Sequence, residues 1–437
     1  MPLDQDNAIE ASLCELFPTA FLRQKADETG LVQRDRKVDP VALFWTLVLR
    51  FGIGPARKIA GLHRGYQTAT GTVLCRSAFY DRFTDALVAF LRQALLVALE
   101  SICPDAPLLS GPLCAFRDLI LIDATVIRLH DLLKRAYAAC RTNHTQAAAK
   151  LHLIVSVLGR SEQKVKLTPQ RTHESQILRI GDWVEGRLLL FDLGYFKYGL
   201  FDRIRQCGGY FISRLKDCCN PVVVAVHQTC PGNARPLVGQ SLQDILKGLK
   251  RQLLDVEVEV RFRRRVYKGC RRQVIKRFRV VGCYNNLTKE YHLYITNISP
   301  QQLTAKQIAQ TYAARWVIEL IFKQLKSYYQ LENLPSQKQQ IVEALIYTAI
   351  LTMMVSKTIQ KTLKTLSDAS THDQTETYFP ILRVAAVLSD LSIKLLESVL
   401  KYAGIKTSNC SLTQLILKHA ADPNRSRMLL LKRIQAI

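Results

Sequence analysis

The chain has 437 residues, of which 61 are Lys or Arg and 36 are Asp or Glu, a formal net charge of +25. A hydrophobic share of 48% excludes global disorder, and so large an excess of basic residues in a folded chain implies a polyanionic partner. The longest uncharged apolar run, Ala344–Ser356, is 13 residues and too short to span a bilayer, and no basic-then-apolar leader opens the chain. No membrane role is therefore expected, and a cytoplasmic, nucleoid-associated setting is. Twelve cysteines are scattered without a C-x-x-C pair, which is not zinc spacing, and they read as small buried thiols.

Residues 1–112 read as a helical N-terminal region. Helical periodicity runs through Val41–Phe51 and Ser77–Leu99. A short helix at Pro55–His63, a turn at Gly65–Thr72 and a helix from Ser77 are compatible with a helix-turn-helix that turns Arg76, Tyr80, Arg82 and Thr84 to a DNA groove. The same pattern also describes an ordinary helical bundle.

From residue 113 to 335 the period changes to that of an α/β core. Strands are predicted at Leu119–Val126, Leu151–Leu158, Val165–Leu167, Leu188–Phe191 and Gly209–Leu215, with helices at Glu174–Glu185 and Leu200–Cys207. A β-rich stretch at about 217–290 holds a two-stranded ribbon whose turn is Tyr267–Cys270. Between Arg261 and Arg279 it carries ten basic residues and no acid, Arg263, Arg265 and Arg272 among them. Like charges on paired strands repel unless an anion covers them, so the ribbon is expected on a phosphate backbone, the alternative being a charged edge that deters aggregation. A strand at Tyr291–Thr296 and one helix from about Ala305 to Tyr329 follow. Residues 336–437 read as a helical C-terminal region interrupted by a polar loop at Leu366–Thr377.

Three acids stand where acids are expensive. Asp123 interrupts LILIDATVI and Asp192 ends LLLFD, each within or at the end of an apolar strand. A carboxylate there needs a buried cationic side chain or a hard divalent ion, Mg²⁺ or Mn²⁺ rather than zinc. The third acid is Glu319. In the helix TYAARWVIELIFKQLKS, Tyr312, Arg315, Glu319 and Lys326 share one face with Lys323 beside them, while Val317, Ile318, Leu320, Ile321 and Leu325 point toward the sheet. By itself that face also fits a solvated surface with a Glu319–Lys323 pair. His173 reads as a strand-end hydrogen bonder, and Trp183 and Trp316 as packing residues.

The spacing Y-x2-R-x3-E-x6-K, here Tyr312, Arg315, Glu319 and Lys326, resembles the YREK signature of bacterial insertion-sequence transposases of the DDE type, in the family named after insertion sequence four. LILIDATVI resembles that family's first-aspartate strand, KLHLIVSVLG and LTPQRTHES the next two segments, and LLLFDLGYF the second-aspartate strand. The resemblance implies a ribonuclease-H-like catalytic core with a β-rich insertion, in which Asp123, Asp192 and Glu319 bind two Mg²⁺ (or Mn²⁺) ions. It implies strand cleavage at element ends and strand transfer into target DNA, that is, cut-and-paste transposition. Arg315 and Lys326 are then expected on phosphates beside the scissile bond, and Tyr312 on a phosphate or a displaced base. The expected partner is double-stranded DNA, as terminal inverted repeats and as target, with a homodimer assembled on it. Two alternatives are a DNA-binding protein derived from a transposase without chemistry and a metal-dependent structure-selective nuclease on the same fold.

Overall fold

Apolar, β-branched runs between residues 118 and 296 pair into one sheet. A computed structural model describes residues 7–32, 38–51, 58–100, 111–140, 145–157, 164–227, 237–249, 252–263, 273–370 and 379–407. They fall into two units, one within Leu99–Gln324 and the other combining Met1–Ala98 with Leu325–Ile437.

The Leu99–Gln324 unit is built on the sheet. Its strands are β1 (Asp118–Leu129), β2 (Ala147–Ser156), β3 (Lys164–Pro169), β4 (Arg187–Phe191), β5 (Tyr210–Arg214), β6 (Val222–Val226), β7 (Leu253–Arg263), β8 (Gln273–Asn285) and β9 (Glu290–Thr296). Their order across the sheet is β3-β2-β1-β4-β5-β9-β8-β7-β6. β1, β2 and β3 form an antiparallel meander, whereas β4 and β5 run parallel to β1. β2 is buried at every position, as its nearly unbroken apolar run requires, and β1 is buried through its first five residues. In the core, Phe191 of β4, Phe201, and Phe211 of β5 stack, and Phe278 meets Phe201 and Phe211 edge-on.

Several expectations need correcting. The helix expected at Glu174–Glu185 is two short 3₁₀ turns, Glu174–Gln176 and Asp182–Val184. The ribbon is not a separate pair: β7 and β8 do pair with each other, but β8 also pairs with β9, and β9 with β5. Alternation identifies a strand without identifying its second neighbour. Nor are the ribbon's charges all unpaired: among the described residues, three of them have acidic partners. Arg279 is buried in a two-pronged ion pair with Asp255 at 2.8 and 2.7 Å, Lys276 lies 3.3 Å from Asp202, and Arg261 lies 3.4 Å from Glu259. Arg263 is exposed at the end of β7, while Arg265, Arg272 and the Tyr267–Cys270 turn lie outside the described residues. None of the eight described cysteines is fully buried, although Cys207 and Cys219 are partly buried against the core, and Cys75, Cys114, Cys140 and Cys218 are exposed.

The helix expected at Ala305–Tyr329 is two, Ala305–Ala313 and Trp316–Ser327. The first opens on a capping box in which Thr304 accepts from the Gln307 backbone N–H and the Gln307 side chain accepts from the Thr304 N–H. At the junction the backbone bonds tighten to three-residue spacing, Ala314 to Thr311, Arg315 to Tyr312, Val317 to Ala314 and Ile318 to Arg315. That turn re-phases the second helix. Ile318, Ile321, Phe322 and Leu325 are buried, whereas Trp316, Val317 and Leu320, expected to pack, are 60%, 42% and 38% exposed.

In the other unit, helix Pro40–Arg50 is buried along its whole length. Asp39 caps it, accepting from the Val41 and Ala42 N–H groups, and Pro40 takes the first helical position. It packs on helix Gln339–Ser370, where Thr352 donates to the Val48 carbonyl at 2.7 Å. That long helix extends well beyond the run Ala344–Ser356. Among the described residues one stretch, Gln339–Asp368, is long and apolar enough to cross a membrane, and 83% of its most apolar window is buried inside the protein. The helix-turn-helix expectation is not met. Residues Gly65–Thr70 of its turn belong to helix Ile59–Thr70, and its second helix divides into Arg76–Tyr80 and Asp85–Glu100. Residues 55–57 lie outside the described residues.

Candidate active site

Strand register brings the two aspartates together. β1 and β4 are parallel, with Ile122 beside Phe191, so the next residues, Asp123 and Asp192, are neighbours across the sheet. Asp123 sits within β1, and Asp192 follows β4 and immediately precedes the short turn Leu193–Tyr195, its side chain not bonded into the turn. Glu319 comes from the first turn of helix Trp316–Ser327.

Arg315 joins this group. Its guanidinium donates to Asp123 Oδ2 at 3.2 Å through Nη1 and to Glu319 Oε1 through Nη2. Only 12% of its side chain and 14% of that of Asp123 are exposed. Burial pushes the Asp123 carboxyl up to about 6. The Ala124 N–H and Arg315 pull it down, and the charges of Asp192 and Glu319 push it up again. One guanidinium thus stands against three acids in a poorly hydrated place, and the ionised set is short of positive charge.

That shortage is what a hard cation relieves, and the donors are all carboxylates, which suit Mg²⁺ or Mn²⁺. Among the described residues, no three His, Cys, Asp or Glu side chains stand close enough together to hold an ion, since Arg315 lies between Asp123 and Glu319. The donor chemistry fits such an ion, while in the structure the Arg315 guanidinium bridges Asp123 and Glu319.

The other expected residues are dispersed. Tyr312 is not at the surface: it is 7% exposed, and its hydroxyl donates to the Phe191 carbonyl at 3.5 Å. Its ring lies 5.5 Å from the Arg315 guanidinium and 5.1 Å from the ring of Tyr294, and burial pushes its hydroxyl up to about 12. It supports Arg315 instead of reaching outward. Lys326 pairs with Glu332 at 3.2 Å, both partly exposed. His173 is exposed, near Glu174 and Lys150, and Trp183 is half-buried against the core.

Sequence reasoning missed the polar layer behind Asp192. Lys150, buried in β2, donates to Glu174 at 2.9 Å and to the Thr172 carbonyl at 3.2 Å. His152, two residues on, bonds Thr168 at 2.8 Å and meets the Tyr195 hydroxyl at 3.4 Å. Burial holds its ring near pH 4, well below the ordinary range, with Lys150 and Lys166 adding to the shift, so it is neutral at pH 7. The available signal was a Lys and a His inside the apolar run KLHLIVS.

The family model that matches the chain is the transposase DDE domain, over residues 115–355, more than half of its length. The chain is 24% identical over 443 residues to the transposase for insertion sequence element IS1151 of Clostridium perfringens, covering 91% of this chain and 93% of that protein. It is 22% identical over 414 residues to the transposase for IS231B of Bacillus thuringiensis subsp. berliner, covering 85% and 84%, and 23% identical over 372 residues to that for IS231F of B. thuringiensis subsp. israelensis, covering 77% and 76%. A family match across the segment that holds Asp123, Asp192 and Glu319 places this chain in the DDE transposase family of bacterial insertion sequences, as an enzyme acting on DNA.

Proposed function

We propose that this transposase cleaves DNA strands at the ends of its element and joins the freed 3′ ends to target DNA, on a ribonuclease-H-like core whose Asp123, Asp192 and Glu319 hold two Mg²⁺ or Mn²⁺ ions. The observation that carries the reading is the charge-starved set of Asp123 within β1, Asp192 just after the adjacent β4, and Glu319 on a neighbouring helix. Such ions, when bound, supply Lewis acidity to an in-line displacement at phosphorus.

The chain's own residues do the rest. With such ions held by Asp123 and Glu319, the Arg315 guanidinium that now bridges these acids would be free to bind elsewhere, and its planar fork would suit a phosphate oxygen pair. Tyr312 holds that guanidinium from behind. The Lys326–Glu332 pair is partly exposed, of a kind worth at most about 1 kcal/mol, so a DNA phosphate competes for Lys326 readily. Arg263, with Arg265 and Arg272, contacts the duplex backbone without reading bases. Terminal inverted repeats and target are the DNA partners, and a homodimer on DNA in the cytoplasm, at the nucleoid, is the working assembly.

The test is nicking of end-containing DNA in Mg²⁺, with gel shifts in Ca²⁺. Asp192→Ala and Glu319→Ala are expected to abolish nicking and to bind the DNA within a few fold of the wild type. Wild-type nicking by Glu319→Ala overturns the assignment.

A further inference from the structure

The turn that follows Asp192 is held from behind by residues the reaction does not consume. Glu174 sends its carboxylate against Gly194: a Cβ on that glycine would lie 1.9 Å from Glu174 Oε2 and 2.8 Å from its Cδ. The next nearest atom is Glu174 Oε1 at 3.4 Å. Gly194 is not among the glycines with positive φ, so its backbone accepts other residues, and a side chain there would have to push the Glu174 carboxylate out of its place. Glu174 is fixed in turn by Lys150, which rises from the fully buried β2 and also holds the Thr172 carbonyl. A second tie runs from β2 to the same turn, His152 to the hydroxyl of Tyr195, which is 2% exposed. Tyr195 donates its N–H back to the Asp192 carbonyl at 3.0 Å, closing the turn on the aspartate.

We infer that Lys150, Glu174 and Gly194 form a clamp that sets the position of the Leu193–Tyr195 turn, and through it of Asp192, so that Lys150 and Glu174 are positioning residues for strand cleavage. The inference rests on the reading of Asp192 as catalytic. A catalytic group misplaced by on the order of 1 Å can cost about a hundredfold in rate. Clamping against bare backbone gives tight placement, because no side-chain torsion of residue 194 intervenes.

The clamp makes a prediction that simple packing does not. Gly194→Ala harms the enzyme only because Glu174 is there, so the two sites must be strongly non-additive. The experiment uses the full chain and end-containing DNA, with gel shift in Ca²⁺, the nicking rate and its half-saturating DNA concentration in Mg²⁺, and thermal melting for each variant. Glu174→Ala is expected to lower the maximal nicking rate by roughly tenfold to a hundredfold with half-saturation and gel shift unchanged within about threefold. Glu174→Gln, whose amide oxygen still accepts from Lys150, is expected to restore the rate to within a few fold of wild type. Gly194→Ala should match Glu174→Ala in the wild-type background and cost less than about twofold in the Glu174→Ala background. Lys150→Met is expected to reproduce the loss and serves if Glu174→Ala melts below the assay temperature. Wild-type rates in Glu174→Ala or Lys150→Met, or an equal penalty for Gly194→Ala in both backgrounds, overturn the clamp. Asp192→Ala is run beside them: if it nicks normally, the catalytic reading itself has failed, and if it is dead while Glu174→Ala is normal, only the clamp has.

Discussion

Asp123→Asn separates the stability of this site from its activity. The Asp123 carboxyl rises from 3.8 to about 6 in the fold, a little over two pH units, equivalent to about 3 kcal/mol at 1.36 kcal/mol per unit. The folded state therefore favours the neutral acid. This stability is fully present below the unfolded value near pH 4 and is lost as pH rises through 6, leaving the ionised carboxylate a liability at pH 8. Asn cannot ionise, so the variant does not suffer that loss. It does lose one acceptor: Asp123 Oδ1 takes the Ala124 N–H at 2.7 Å and Oδ2 takes Arg315. The missing hydrogen bond offsets about 1 kcal/mol, which leaves the variant ahead by about 2 kcal/mol at pH 8 and behind at pH 4. In a unit of 150–250 residues this is roughly 4–8 °C in melting temperature at the higher pH. The assay is calorimetry from pH 4 to pH 8.5 in EDTA, repeated with Mg²⁺. Added Mg²⁺ is expected to stabilise the wild type by about 1.4 kcal/mol at ten times its dissociation constant, and the variant much less. Melting curves of wild type and Asp123→Asn that stay parallel across this pH range would refute the reasoning, because Asp123 would then carry no ionisation penalty.

The remaining predictions concern basic residues elsewhere in the chain and Lys326. Arg279→Ala leaves Asp255 buried and unpaired and should destabilise the protein by about 3–5 kcal/mol, measured by urea unfolding, whereas Arg263→Ala should change stability by less than about 0.5 kcal/mol. In DNA binding the order reverses: neutralising Arg263 should weaken specific and unrelated duplexes alike and reduce the salt slope by about one. A loss confined to the specific sequence would mean that Arg263 reads bases. Lys326→Ala is expected to bind end DNA within a few fold and lose nicking by on the order of a hundredfold, the scale of removing one electrostatic stabiliser of a transition state. Unchanged nicking would leave Lys326 as the partner of Glu332 and nothing more.

Much of this protein is local and was readable from residue order. The apolar runs around Asp123 and Asp192 predict the strands that carry them, because a strand buried on both faces must be apolar nearly throughout. An acid inside such a run marks itself, and the same logic applied to Lys150 and His152 would have pointed to the layer behind Asp192. Partnership could not be read this way. Arg315 reaches Asp123 across 192 positions and Arg279 reaches Asp255 across 24, so ten basic residues that look unopposed along the chain include a buried structural cation. The tight turn at residues 314–315 was equally hidden, since a periodicity of 3.6 continues on paper through a three-residue bond pattern that turns Trp316, Val317 and Leu320 outward. Hydrophobic periodicity records which face of an element is buried. Which charge meets which, and so which carboxylate is left short of a cation, is decided by strand register and helix phase, and these exist only once the elements have packed.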